Sequence, residues 1–288
     1  MKVKILIDTS CGIGREEAKS LGYEMIALPF LLDDDEYDED KITFDDFYNK
    51  LKNAKNISTS KASMEKVMNI IDKLLADADV VMYFPITSGL SSSYETALAI
   101  KEKEKYKDRL IVVDHKTISV LERSMLLDVK RLLDKGVSPL HIKELAEENA
   151  KNNRIYIAVD TLDYLKKGGR VSAMSATIGS ILNIKPVLFS NGNKFEVIKK
   201  TRGMDAAKNT LIELIKDDYN NLFNGIGLDK FCFGIAYTKC KDEAIELKNR
   251  AENEIGTEFI VDELSTVIGC HIGEGAVATA IYKKIDES

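Results

Sequence analysis

Two apolar periods alternate along the first half of the chain: short continuous runs and longer amphipathic ones. "VKILIDTS" (3–10) predicts a buried strand, and "GREEAKSLG" a helix closed by Gly22. "YEMIALPFLL" predicts a second strand, and the acidic "DDDEYDEDK" (33–41) a solvated loop or charged hairpin. "TFDDFYNKLKN" reads as a helix with Thr43 as its N-cap, and "KASMEKVMNIIDKLLADA" as another. "DVVMYFPIT" is apolar throughout, the mark of a strand buried on both faces. A helix over "SSSYETALAIKEKEKY", a strand at "RLIVVDH" and two further helices ending near residue 152 complete the pattern. Strand and helix in alternation predict a parallel sheet wrapped by helices.

The second half changes character. Strands at "RIYIAVD", "FCFGIAYT", "TEFIVDEL" and "VATAIYKKI", a hairpin at "KPVLFSNGNKFEVIKK" with "SNGN" as its turn, and two interleaved helices predict a mixed or antiparallel sheet. The apolar "VIGC" (267–270) reads as one more strand-like run. The predicted fold is α/β in two domains, residues 1–152 with the parallel sheet and 153–288 with the mixed one.

Composition narrows the function. With 44% hydrophobic and 31% charged residues over 288 positions, the chain can build a packed core and is not a disordered polymer. A net charge of -6 argues against nucleic acid as a partner, because phosphate binding needs a concentrated basic face. The four cysteines show no CxxC pairing and the three histidines no ligand-like spacing, so no metal is expected. The first residues run straight into a strand pattern, and no segment approaches the roughly 20 apolar residues of a membrane span. These features predict a cytoplasmic protein with reduced thiols.

Ligands bind at strand ends in parallel α/β sheets, and two such ends carry hydroxyl clusters, "ISTSKAS" (57–63) and "ITSGLSSSYE" (86–95). Each leads into a helix, so hydroxyls and backbone N–H groups converge where an anion would sit. Thr59, Ser60, Ser91 and Ser92 are the best placed, although plain N-capping accounts for either cluster alone. In "DTLDYLKKGGRVS" (160–172) and "KKTR" (199–202), Arg170 and Arg202 stand at element boundaries where a guanidinium can clamp a phosphate. His271, between an apolar run and a glycine loop, is the remaining candidate. Ser91 with His271 would make a nucleophile and base, but no G-x-S-x-G elbow and no orienting carboxylate accompany them. No P-loop or G-x-G-x-x-G is present, and no cofactor is implied.

Taken in order, "IDTS", "TSKAS", "SGLSSSYETA", "DTLDYLKKGGRVS", "LNIKPVL", "KKTR" and "VIGCHIGEGA" resemble the DegV family over essentially the whole chain. These proteins are similar to the fatty-acid-binding subunit of bacterial fatty-acid kinase. The resemblance implies a lipid held between two α/β domains and a long-chain fatty acid presented to a separate ATP-dependent kinase subunit. It implies no independent catalytic activity. It places Thr59, Ser91 and His271 around the carboxylate, with Ser60 and Ser92 beside them, and Arg170 and Arg202 on the surface used for phosphotransfer. Transient membrane contact stays open, and the alternative is a Ser/His lipid-ester hydrolase or acyltransferase. Lys61-Ala62 stand where Gln-Pro is common, Ser92 where glycine is common and Glu274 where proline is common. The apolar "SAMSATIGSILNIKPVLF" (172–189) suits a narrow acyl channel as well as a packed core, and the core is the default reading for any one of its residues. A buried chain of some sixteen methylenes gains roughly 13 kcal/mol at about 0.8 kcal/mol each, before ordering costs.

Overall fold

A computed structural model describes residues 1–176 and 183–286, with the side chain of residue 40 left aside. The first half forms β1 (Val3–Asp8), α1 (Arg15–Leu21), β2 (Tyr23–Ile26), β3 (Pro29–Leu32), β4 (Asp35–Asp38), α2 (Phe44–Asn53), β5 (Ile57–Thr59), α3 (Met64–Leu75), β6 (Val80–Phe84), α4 (Ser93–Lys101), β7 (Leu110–Val112), α5 (Val120–Asp134) and α6 (Pro139–Asn149). The second half forms β8 (Arg154–Ala158), α7 (Asp163–Gly168), α8 (Ala173–Ala176), β9 (Ile184–Ser190), β10 (Glu196–Arg202), α9 (Met204–Asn221), β11 (Phe231–Tyr237), α10 (Lys241–Ile255), β12 (Phe259–Glu263), α11 (Thr266–Ile272) and β13 (Val277–Lys283).

The expected parallel sheet is present as β2-β1-β6-β7, all neighbours parallel. Every residue of β6 is buried, as its unbroken apolar run required. The second sheet runs β10-β9-β8-β13-β11-β12, antiparallel except for the β11–β12 pair, and is mixed as expected. Helix α5 lies between the two sheets and buries Leu121, Met125, Val129 and Leu132 in a core shared with Ile5, Ile7, Ile155 and Tyr282. Asp128 on α5 accepts from the Tyr282 hydroxyl (3.1 Å) and the Ile285 N–H (2.9 Å), so polar bonds reinforce the seam.

The "SNGN" turn joins β9 to β10 and docks on the loop after β6. The Thr87 hydroxyl donates to the Gly192 carbonyl at 2.9 Å, and a Cβ on Gly89 would lie 2.2 Å from that same oxygen. Only glycine at position 89 permits so close an approach.

Two expectations are corrected. "YEMIALPFLL" is two strands in two sheets: β2 joins the parallel sheet, while β3 pairs with β4 and β5 in a separate antiparallel sheet of order β4-β3-β5. "VIGC" is not a strand but most of α11. Its inward residues, Val267, Ile268, His271 and Ile272, recur at helical spacing, and Gly269 lets the helix close on α2, where a Cβ would meet the Phe47 ring at 2.8 Å.

Candidate functional site

A cavity opens between the carboxyl ends of the parallel strands and one face of the mixed sheet. The centre of a water-sized sphere can travel through about 130 Å³ of it. Register explains the space: Ile155 and Ile157 on β8 pair with Ala280 and Ala278 on β13, and Ala278 pairs with Ala236 on β11. All five line the cavity, and the three alanines leave room where larger side chains would close the sheet face. Ile86 and Leu90 after β6, and Ile118 and Val120 after β7, form the facing wall.

None of the described residues of 172–189 lines the cavity, and 177–182 lie outside the described residues.

One end is polar. Thr59, Ser60, Ser91, Ser92, Arg170 and His271 all border the cavity, as does Lys61. Ser60, Lys61 and Ser92 are exposed and Thr59, Ser91, Arg170 and His271 half-buried, so this end meets solvent. Two cross-chain bonds assemble it. His271 Nε2 lies 2.8 Å from Thr59 Oγ1, and Arg170 Nε donates to the Leu90 carbonyl at 3.0 Å. Arg170 also donates to the Gly168 carbonyl at 2.5 Å, and no carboxylate pairs with it among the described residues.

Burial, with Arg170 as a lesser cause, lowers the His271 pKa to about 3, so the ring is neutral across the working range. Its Nδ1 is buried without a hydrogen-bond partner. Placing the single ring proton on Nε2 leaves only an acceptor unsatisfied at Nδ1, the less costly choice. Nε2–H then donates to Thr59 Oγ1, which frees the threonine hydroxyl to donate outward. Ser91 Oγ lies 3.1 Å from Ser93 Oγ and accepts from the Ser93 N–H at 3.2 Å. His271 is thus bonded to Thr59 and Ser91 to Ser93, and no Ser91–His271 hydrogen bond forms.

Arg202 is exposed at the end of β10 and does not line the cavity, so the two arginines occupy different environments. Burial lowers the proton affinity of the Arg170 guanidinium, which nonetheless stays charged. The glycines after His271 have local duties. Gly273 (φ +78°) ends α11, and a Cβ there would meet the Tyr164 ring at 2.5 Å; Gly275 (φ +81°) donates to the Thr238 carbonyl.

A parallel α/β unit and a mixed-sheet unit enclosing an apolar cavity with one polar, cationic end define a two-domain α/β protein built around an amphipathic site. Comparison with known proteins gives the family. Residues 2–284 match the model of the DegV family, described as uncharacterised proteins, and the chain belongs to that family. It is 29% identical over 288 residues to a DegV domain-containing protein of Clostridium acetobutylicum, covering 98% of each chain. Among solved structures it resembles a fatty-acid-binding DegV family protein of Thermus thermophilus (TM-score 0.86, 24% identity, 98% of this chain and 100% of that one). It also resembles DegV of Bacillus subtilis, described as a fatty acid binding protein (TM-score 0.84, 25% identity, 99% and 100%). Among the described residues, no helix is long and apolar enough to cross a membrane.

Proposed function

We propose that this protein carries a long-chain fatty acid, with the acyl tail in the cavity and the carboxylate at its polar end. Arg170 carries the reading: a half-buried guanidinium on the wall of an apolar cavity that, among the described residues, donates to carbonyls and pairs with no carboxylate. A cation so placed calls for an anion, and an anion that fits this cavity has an apolar tail. The fatty-acid-binding DegV proteins of similar fold support the same conclusion. The Thr59 hydroxyl, oriented by neutral His271, donates to one carboxylate oxygen, and the hydroxyls of Ser91, Ser60 and Ser92 stand at the rim.

In this reading the protein presents the acid to a separate kinase subunit, which phosphorylates it with ATP to an acyl-phosphate. Exposed Arg202, with Lys199 and Lys200 on the same strand, suits an acidic partner or a transferring phosphate. The protein itself performs no turnover. Hydrolysis or acyl transfer by a Ser/His pair is less well supported, because Ser91 is turned to Ser93 and an imidazole with a pKa of about 3 is a poor general base.

Mass spectrometry of an organic extract of the denatured protein tests the reading. A stoichiometric fatty acid is expected. A clean extract, from protein that also fails to bind added long-chain acid, refutes it.

A further inference from the structure

The run of acids at residues 33–40 is mostly solvated: Asp33, Asp34, Asp35 and Glu36 are exposed. Glu39, in the turn after β4, points inward instead. Its Oε1 accepts from the Val267 N–H at 3.3 Å and from the Thr266 hydroxyl at 3.1 Å, and the hydroxyls of Thr9 and Ser265 also face the carboxyl. Burial holds the carboxyl's pKa above the usual range.

These contacts lie at the start of α11, a helix of only seven residues. The first N–H groups of a helix have no partner within it, and a side-chain cap normally supplies one. Ser265, at the N-cap position, makes no such bond, and its hydroxyl faces the Glu39 carboxyl instead. Glu39 fills that role from more than two hundred residues away. The same small sheet that leads into Glu39 through β4 also presents Thr59 from β5, which bonds His271 in the last turn of α11. One sheet therefore grips the helix at both ends, with Phe30, Phe47 and Leu51 packed against Val267 and Cys270 between the two grips.

We infer that Glu39 is a positioning residue for the head group: by fixing the start of α11 it sets His271 against Thr59, and through them the ligand carboxylate. This rests on the fatty-acid reading above. Removing the grip lets α11 sample positions in which Thr59 loses its orienting partner, and the apparent affinity falls with the fraction of protein in the competent arrangement.

The test compares wild type, Glu39→Ala and Glu39→Gln, stripped of lipid, for binding of a fatty acid and of the fatty alcohol of equal length. Glu39→Ala is expected to weaken the acid up to about fivefold, the factor equivalent to the ~1 kcal/mol of a lost cap, and to leave the alcohol unchanged. Glu39→Gln keeps an acceptor toward Val267 and should stay within about twofold of wild type, by the same capping argument. Nitrogen-15 spectra of the imidazole should show the Nε2–H form in wild type and a mixture of tautomers in Glu39→Ala. Equal losses of acid and alcohol, or unchanged acid binding, would overturn the inference. If wild type itself binds no fatty acid, the fatty-acid reading fails, and an unchanged His271 spectrum in Glu39→Ala overturns the positioning role separately.

Discussion

Gly168→Ala separates the site from the fold more cleanly than any truncation of the polar residues themselves. Gly168 is the last residue of α7, and its φ is not in the left-handed region, so the backbone accepts alanine. In a helix alanine is favoured over glycine by about 1 kcal/mol, which offsets part of the cost of displacing the imidazole, so the fold should survive with little change in stability. The new Cβ, however, would lie 2.0 Å from His271 Nδ1 and 2.7 Å from Cε1. Non-bonded carbons settle near 3.5–4.0 Å, so the ring must move by more than about 1 Å. The 2.8 Å contact to Thr59 on the ring's other nitrogen cannot survive that shift. Losing an oriented donor to a charged group costs about 1.5–3 kcal/mol, roughly a 10- to 150-fold rise in Kd. Gly169→Ala is the counterpart: φ is +68° and nothing lies within 4 Å, so it should cost about 1 kcal/mol or more of stability and leave affinity nearly intact. Calorimetric titration of lipid-free protein and thermal melting read the two quantities. Adding Gly168→Ala to His271→Ala should cost no further affinity, because the ring it displaces is gone. Wild-type binding by Gly168→Ala, or losses that add in the double variant, would refute this account of the imidazole.

Arg170→Ala should lose bound acid, whereas Arg202→Ala should keep its lipid and fail only in acyl-phosphate formation with the kinase subunit; lipid content and product yield measure both. Ala278→Leu should fill the sheet face and shift preference to shorter acids, seen as a chain-length cutoff in displacement titrations. Burial raises the Asp262 pKa to about 6 against an ordinary value of 3.8. The folded state therefore binds that proton more tightly, and the carboxylate's destabilising effect is relieved as pH falls from above 6 toward 4. Asp262→Asn should add about 1 kcal/mol at pH 7.5, after allowance for partial exposure, and close to nothing at pH 4 in denaturant melts. The histidines act in the opposite sense, since His115 at about 4 and His271 at about 3 stand below the unfolded value and lose stability as pH falls through 6.5.

Local chemistry was legible where it decided structure locally. The unbroken run of β6, the Thr43 hydroxyl that accepts from the Asp46 N–H, and the "SNGN" turn each carry their reason within a few residues. Most polar residues around the cavity were named from the sequence, but not all and not for the right reason: Ser91 and Ser92 follow a parallel strand, Thr59 ends and Ser60 follows β5 of the antiparallel sheet, and the buried Ser119 hydroxyl in the lining was missed. What joins them was not legible. Thr59 meets His271 across 212 positions and Arg170 meets Leu90 across 80, contacts that depend on how the small sheet, α11 and the segments after β6 and α7 dock on one another. The floor escaped notice because an alanine is informative only opposite its partner: Ala278 makes a cavity by facing Ile157 and Ala236, a fact of register rather than composition. α11 was misread because a buried seven-residue helix and a short buried strand present similar apolar runs, and Ser265 gave no cap by which to tell them apart.

Tail and head act on different quantities in such a site. A tail of sixteen methylenes gains roughly 13 kcal/mol on leaving water, against ordering costs of several kcal/mol, so affinity needs little from the carboxylate. Under the proposed function, additional cations packed tightly around the head would add affinity to be overcome at release, and would draw electron density from the oxygen proposed to attack a phosphoryl group. The polar end avoids this. Its imidazole is neutral, its hydroxyls are uncharged, and the half-buried guanidinium of Arg170 has carbonyls to return to when the anion leaves. Hydroxyl donors orient the carboxylate at about 1.5–3 kcal/mol each, without a permanent charge. On the proposed reading the head group thereby sets which end of the acid faces outward, and the length of the apolar floor sets how long the acid stays.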